Sequence, residues 1–126
     1  MPDRPIIIFK GIQFVVEGAV SANGECESKN FLDALGETER AKIFKIIKRL
    51  ANFGVIQNRE QFKKVEGEIW EFKEFQRRIL MYYLPNRRIV LTHGFIKKID
   101  KIPRAEIVRA NTIRHEYNQI RERMKP

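Results

Sequence analysis

The sequence predicts an α+β domain: an antiparallel sheet of about four strands with two or three helices packed on it. Three observations predict it. Residues 68–75, 77–84 and 88–95 are β-rich runs separated by breaks too short for anything but tight turns, so they are antiparallel neighbours. Between 37 and 53, Ile43, Ile47 and Leu50 recur at the spacing of one helical face, widened by Phe44 and Ala51, and Gly54 is a natural stop. From Pro103 onward, Ile113, Tyr117, Ile120 and Met124 form a second apolar stripe on a long final helix.

The remaining elements follow in chain order. Residues 6–17 are β-rich and split by Gly11, a first strand or a strand with a bulge. Small and polar residues over 18–28 make a loop, and Phe31, Leu32 and Leu35 form a short helix that stops at Gly36. The 37–53 helix is expected to cover one sheet face, with Lys42, Lys45, Lys48 and Arg49 solvated. Residues 57–64 form a polar connection, and Pro85-Asn86 turns the second central strand into the third. That third strand, Ile89-Val-Leu-Thr-His-Gly-Phe-Ile, runs directly into Lys97-Lys98. Trp70 and Phe72 lie on the opposite strand face from Lys73 and belong to the core. The final helix frays into Lys125-Pro126.

At 126 residues the chain is one domain with a single core. Its formal charge of +9 points to a polyanionic partner, nucleic acid first. The charge is local: from Lys73 to Arg104 there are nine basic residues and two acidic ones, Glu74 and Asp100, on the predicted sheet. Cys26 is alone, which rules out a disulfide framework or a cysteine metal site and fits a reducing, cytoplasmic setting. Lys10, Gln13 and Glu17 interrupt the N-terminal apolar runs, so neither a signal core nor a membrane span is expected. No His/Cys/carboxylate cluster has ligand spacing, so no metal and no cofactor is expected. No glycine-rich loop precedes a helix, and no serine sits in a nucleophile-elbow setting.

What remains is lysine and arginine on strands. Such a site suits metal-free RNA cleavage, because the RNA's own 2′-hydroxyl is the nucleophile and the protein has only to align it and stabilise the phosphorane. Arginine's planar fork matches two phosphate oxygens, while a lysine of lowered pKa, a glutamate or a histidine can move the protons. Among the glutamates, Glu66 and Glu68 flank a glycine and read as a solvated strand entry.

Trp70-Glu-Phe-Lys73, Gln76, Arg78-Ile-Leu, Val90-Leu-Thr-His-Gly-Phe-Ile-Lys-Lys98, Lys101-Ile-Pro-Arg-Ala-Glu-Ile107 and Ala110 together resemble the HigB/RelE-like toxins of type II toxin–antitoxin modules. The resemblance is narrower to their phage-derived branch with the His-Gly-Phe-x-Lys-Lys strand, and it runs from about Phe31 to Tyr117. It implies a RelE-like fold, a curved antiparallel sheet with helices on one face. It implies an endoribonuclease that cuts mRNA, commonly in the ribosomal A site. It also implies a cognate antitoxin with a helix-turn-helix DNA-binding domain, through which alone operator DNA would be reached, and no membrane partner.

Matched by position, Arg78 is the strand arginine on the scissile phosphate, Lys73 a basic position on the preceding strand, and Lys97 or Lys98 the basic position after the last strand. Of the last two, which alternate faces, Lys98 is the expected one. His93 is a candidate acid or base whose alternative is a hydrogen-bonded core histidine, and Arg78's alternative is a pair with Glu71 or Glu74. Arg77, Arg87, Arg88, Lys101 and Arg104 are the expected RNA-binding residues. Tyr117 is assigned to the core, and Gly94 either lets an RNA backbone approach or marks a bulge. Two positions depart from the pattern. Glu71 stands where relatives place a basic residue, and Ile102 where a threonine caps the last helix. Two rivals stand beside this reading: a ParE-like toxin that inhibits DNA gyrase without cleavage, and a non-catalytic RNA-binding module.

Overall fold

A computed structural model describes residues 3–124, so the expected fraying at 125–126 lies outside the described residues. In chain order the elements are β1 (Ile6–Lys10), β2 (Val15–Gly18), α1 (Glu27–Ala34), α2 (Glu37–Phe53), β3 (Phe62–Glu66), β4 (Ile69–Glu74), β5 (Arg77–Leu84), β6 (Arg88–Ile96) and α3 (Arg104–Glu122). The strands form one open sheet in the order β1-β2-β6-β5-β4-β3.

The three central strands fall where their alternation predicts, as antiparallel neighbours joined by tight turns. The four-strand expectation is corrected to six. Residues 6–17 divide into β1 and β2, because the turn between them is held to the end of α2: the N–H groups of Gln13 and Phe14 both donate to the Ala51 carbonyl. Residues 62–66, which overlap the end of the polar connection expected over 57–64, form edge strand β3, paired with β4 through a turn at Gly67 (φ 55°). The sheet is also not wholly antiparallel. β2 runs parallel to β6, reached by a long crossover through α1, α2 and β3–β5.

Strict alternation along β5 divides the core. Ile79 and Met81 meet Ile43, Ile47 and Leu50 of α2, while Leu80 and Tyr82 meet Ala110, Tyr117 and Ile120 of α3. The helices therefore lie on both faces of the sheet, not one. Each fully buried aliphatic side chain contributes about 1.5–3 kcal/mol of transfer free energy. The lysines expected to be solvated on α2 are exposed, and α2 ends at Gly54 in the left-handed conformation (φ 82°) as its glycine requires.

A buried carboxylate fastens α3 to the sheet. Glu17 of β2 is fully buried and accepts hydrogen bonds from the Tyr117 hydroxyl and from Arg121 Nε at 2.9 Å, with Arg88 Nη1 at 3.5 Å. Tyr117 is thus core, as expected, and also a donor; burial and the Glu17 charge together push its pKa above the ordinary value.

One irregularity in β6 matters for the site. Leu80 pairs with His93 and Met81 with Leu91, so Thr92 is an extra residue, and its hydroxyl donates to the Leu80 carbonyl at 3.2 Å. A bulge of this kind puts two successive side chains on nearly the same face and shifts the phase of everything after it.

Candidate functional site

The register of β3, β4 and β5 builds a small grid on the α3 face of the sheet. Lys63 lies opposite Glu71, and Lys73 lies opposite Arg78. Glu71 and Lys73 are two residues apart on β4 and so share a face. This end of the sheet is roofed by the segment after β6 and the first turns of α3, which leaves a cavity of about 230 Å³. Lys63, Glu71, Lys97 and Lys101 line it together with Ile102 and Ile107.

Glu71 is the unusual member. Its side chain is 0% exposed, and neither carboxylate oxygen has a hydrogen-bond partner among the described residues. Its nearest cation is Lys63 Nζ at 3.8 Å, an ion-pair distance beyond hydrogen-bonding reach. Leaving a buried acceptor unmet costs about 1–3 kcal/mol, more for a charged group. Glu17, equally buried on the same face, has its donors in place, so burial alone does not account for Glu71. An unmet carboxylate among cations, lining a cavity, has acceptor capacity left for a donor that enters it.

Arg78 is 8% exposed and anchored by backbone: Nη1 donates to the Phe75 carbonyl at 2.6 Å and to the Arg77 carbonyl at 2.9 Å. Its Nε is buried without a partner, so the guanidinium is positioned with donor capacity unspent. The expected alternative, pairing with Glu71 or Glu74, does not occur. Glu74 is taken by Arg77, whose Nε donates to it at 2.7 Å. Lys73 is nearly buried and sits 3.9 Å from the exposed Glu60.

Lys97 has its pKa lowered below the ordinary lysine value, first by burial and then by the nearby charges of Arg78, Lys73 and Lys63, while Glu71 opposes the shift. These are the groups of the grid, so one ammonium senses the whole cluster. Of the two expected lysines the cavity takes Lys97, while Lys98 is exposed and outside its lining. The Thr92 bulge is the reason, since steps of two from Val90 reach Lys98 on a regular strand and Lys97 on the bulged one.

The other expected residues disperse. His93 is buried, with Nδ1 3.2 Å from the Thr92 hydroxyl and Nε2 3.1 Å from Glu106 of α3; burial lowers its pKa and Glu106 partly restores it. Buried Leu80 separates it from Glu71, two strands or about 10 Å away. That is the hydrogen-bonded core histidine. Gly94 opens no path to a substrate, because a Cβ there would lie 2.3 Å from the Phe31 ring of α1. Arg77 turns to Glu74, and Arg104 to Glu66 at 2.6 Å. Arg87 and Arg88 lie at the far end of the β5–β6 hairpin, roughly 20 Å along the strand from Arg78, bound to Gln13 and Glu17. Of the five expected RNA-binding residues, only Lys101 lines the cavity.

Sequence reasoning missed three residues. Lys63 sits on a strand the sequence does not predict, and Glu71 enters the sequence reading as a departure and a possible partner of Arg78, although its two-residue spacing from Lys73 already places it on that face. Phe75 closes the 68–75 run that the sequence predicts as a strand. It occupies the β4–β5 turn at φ 53° with 76% of its surface exposed, under the Arg77 guanidinium at 5.8 Å. A bulky residue in the left-handed region, its ring largely exposed and its carbonyl holding Arg78, is a strained feature of the kind that collects at binding sites.

The family model "Phage derived protein Gp49-like (DUF891)" matches residues 30–115, which include every member of the cluster and omit β1 and β2. The chain belongs to this Gp49-like family. The family is one of toxin–antitoxin-associated proteins of the RelE/HigB type, which implies an antitoxin partner. No curated protein matches the chain. Among the described residues no group of three or more His, Cys, Asp and Glu side chains converges, and no helix is long and apolar enough to cross a membrane.

Proposed function

We propose that this Gp49-like protein is the toxin of a type II toxin–antitoxin module, a RelE-like, HigB-type endoribonuclease that cuts mRNA, in the ribosomal A site, without a metal ion. The observation that supports this best is the unpartnered Glu71 carboxylate facing a cavity whose cations are Lys63, Lys64, Lys97 and Lys101, with Arg78 and Lys73 on the adjoining grid row.

In this reading Arg78 and Lys73 hold the non-bridging oxygens of the scissile phosphate, where negative charge grows as the phosphorane forms. Glu71 accepts the proton of the ribose 2′-hydroxyl, whose oxygen attacks phosphorus. The bond to the 5′-oxygen breaks, and Lys97, an ammonium made more acidic by its surroundings, supplies the proton that oxygen needs. The products are a 2′,3′-cyclic phosphate and a 5′-hydroxyl, so atoms and charge balance with no cofactor. Phe75 gives an exposed ring on which a neighbouring base can stack.

Primer extension on mRNA in a translation extract, with wild type beside Arg78→Ala, tests this. The expected result is cuts within codons that need translating ribosomes, reduced by 10²–10³ in the variant. A folded wild type that makes no cuts and instead inhibits gyrase would replace this reading with the ParE-like one.

A further inference from the structure

A second concavity lies on the opposite side of edge strand β3 from the catalytic cavity. It has a volume of about 540 Å³, and Val55, Phe62, Trp70 and Tyr83 form its apolar wall. Val55 is 60% exposed, and Phe53, two residues earlier at the end of α2 and outside the groove lining, is 72% exposed. Ile12, whose backbone N–H is held by the Asn52 side chain, brings another exposed apolar residue to the same corner. An isolated exposed apolar residue needs no explanation, but an open groove walled by Val55, Phe62, Trp70 and Tyr83 does.

The charge at this groove has one sign. Arg59, Lys63 and Lys64 line it, and no acidic residue does. Lys64 lies over the Trp70 ring at 5.8 Å, so its ammonium sits at the groove's mouth. Beyond the groove, Arg49 reaches Gln61 at 3.0 Å and adds a further cation at the β3 end of α2. The complementary surface is apolar in the middle and acidic at its edges.

The groove and the catalytic cavity share two residues, Lys63 and Lys64. β3 is an edge strand whose side chains alternate between faces, so its lysines stand between the two concavities.

We infer that the Val55–Trp70 groove is the docking site of an acidic amphipathic segment of the antitoxin. This inference rests on the toxin reading above. Apolar side chains of that segment fill the groove while its carboxylates engage Arg59, Lys63 and Lys64. Drawing Lys63 away from Glu71 and covering the mouth of the cavity then couples binding to loss of cleavage. Neutralisation in this arrangement requires no antitoxin side chain on Arg78.

The test uses this protein, its co-encoded antitoxin, and the variants Val55→Glu and Arg59→Glu, both of which line the groove and not the catalytic cavity. Both positions are exposed, so the variants are expected to fold. Wild type should bind the antitoxin and lose RNA cleavage on binding. Each variant should bind at least tenfold more weakly while cleaving RNA at the wild-type rate, and therefore escape inhibition. Hydrogen exchange should show protection on binding at β3 and at the end of α2. Unchanged affinity in both variants, or protection confined to other elements, would overturn the inference. So would sedimentation showing that the groove is occupied by a second copy of the chain. A protein that binds the antitoxin through this groove but cuts no RNA would refute the nuclease reading alone, which keeps the two failures apart.

Discussion

Glu71→Gln separates catalysis from structure more sharply than any other substitution in this protein. The exchange keeps shape and removes charge. Attraction to Lys63 at 3.8 Å amounts to about 4 kcal/mol at an effective dielectric near 20. That figure must be discounted because the Lys63 side chain is 35% exposed. Against it stands the cost of burying a carboxylate that has no hydrogen-bond partner, several kcal/mol. The terms oppose each other at similar size, so the variant's stability should change by no more than about 1–2 kcal/mol. Its activity should not be spared. Loss of a positioned base costs about 10²–10⁴ in rate, or about 2.7–5.4 kcal/mol of barrier. The pH profile gives a second readout. Glu71 opposes the lowering of the Lys97 pKa, so its removal should move the alkaline limb, where Lys97 loses its proton, to lower pH. Single-turnover cleavage across pH, beside denaturant melts, measures both. Cleavage within threefold of wild type would refute the assignment of Glu71 as base.

Other expectations follow from single contacts. Phe75→Gly should raise stability by up to about 1 kcal/mol, since glycine accepts φ 53° without a Cβ penalty. The same change should weaken RNA binding by about 1–3 kcal/mol through lost stacking, so opposite signs in a melt and a binding titration are the signature. Burial holds the His93 pKa below the ordinary 6.5, so the unfolded chain takes up a proton before the native one does. The stability this provides is complete above about pH 6.5 and is lost as pH falls toward the native pKa; His93→Gln should flatten that dependence in urea melts at pH 7.5 and 5. Tyr117→Phe should cost about 1–3 kcal/mol by removing a donor from buried Glu17, with RNA cleavage unchanged at temperatures where the variant is folded.

The sequence revealed the parts of this fold that depend on local period and hid those that depend on long-range pairing. α2, α3, β5 and β6 carry their apolar residues at one clear spacing. β3 reads as polar because, as an edge strand, it buries only Phe62 while its lysines flank the two concavities. The parallel pairing of β2 with β6 joins segments some seventy residues apart and leaves no local trace. Within the site, the alignment of Lys73 with Arg78 was available from strand parity. The choice of Lys97 over Lys98 was not, because it turns on one extra residue at Thr92. Glu71 was visible as an anomaly, but its burial without a partner required the third dimension.

The central claim is that RNA is cut by its own 2′-hydroxyl at the Glu71–Arg78 cluster. Mapping the cleavage position, and then presenting ribosomes with an mRNA that carries one 2′-deoxynucleotide there, tests it most directly. If the 2′-hydroxyl is the nucleophile, wild type leaves a 2′,3′-cyclic phosphate and a 5′-hydroxyl on the all-ribose message and makes no cut at the deoxy position. Cleavage at the deoxy position, or a 5′-phosphate on the product, would contradict it.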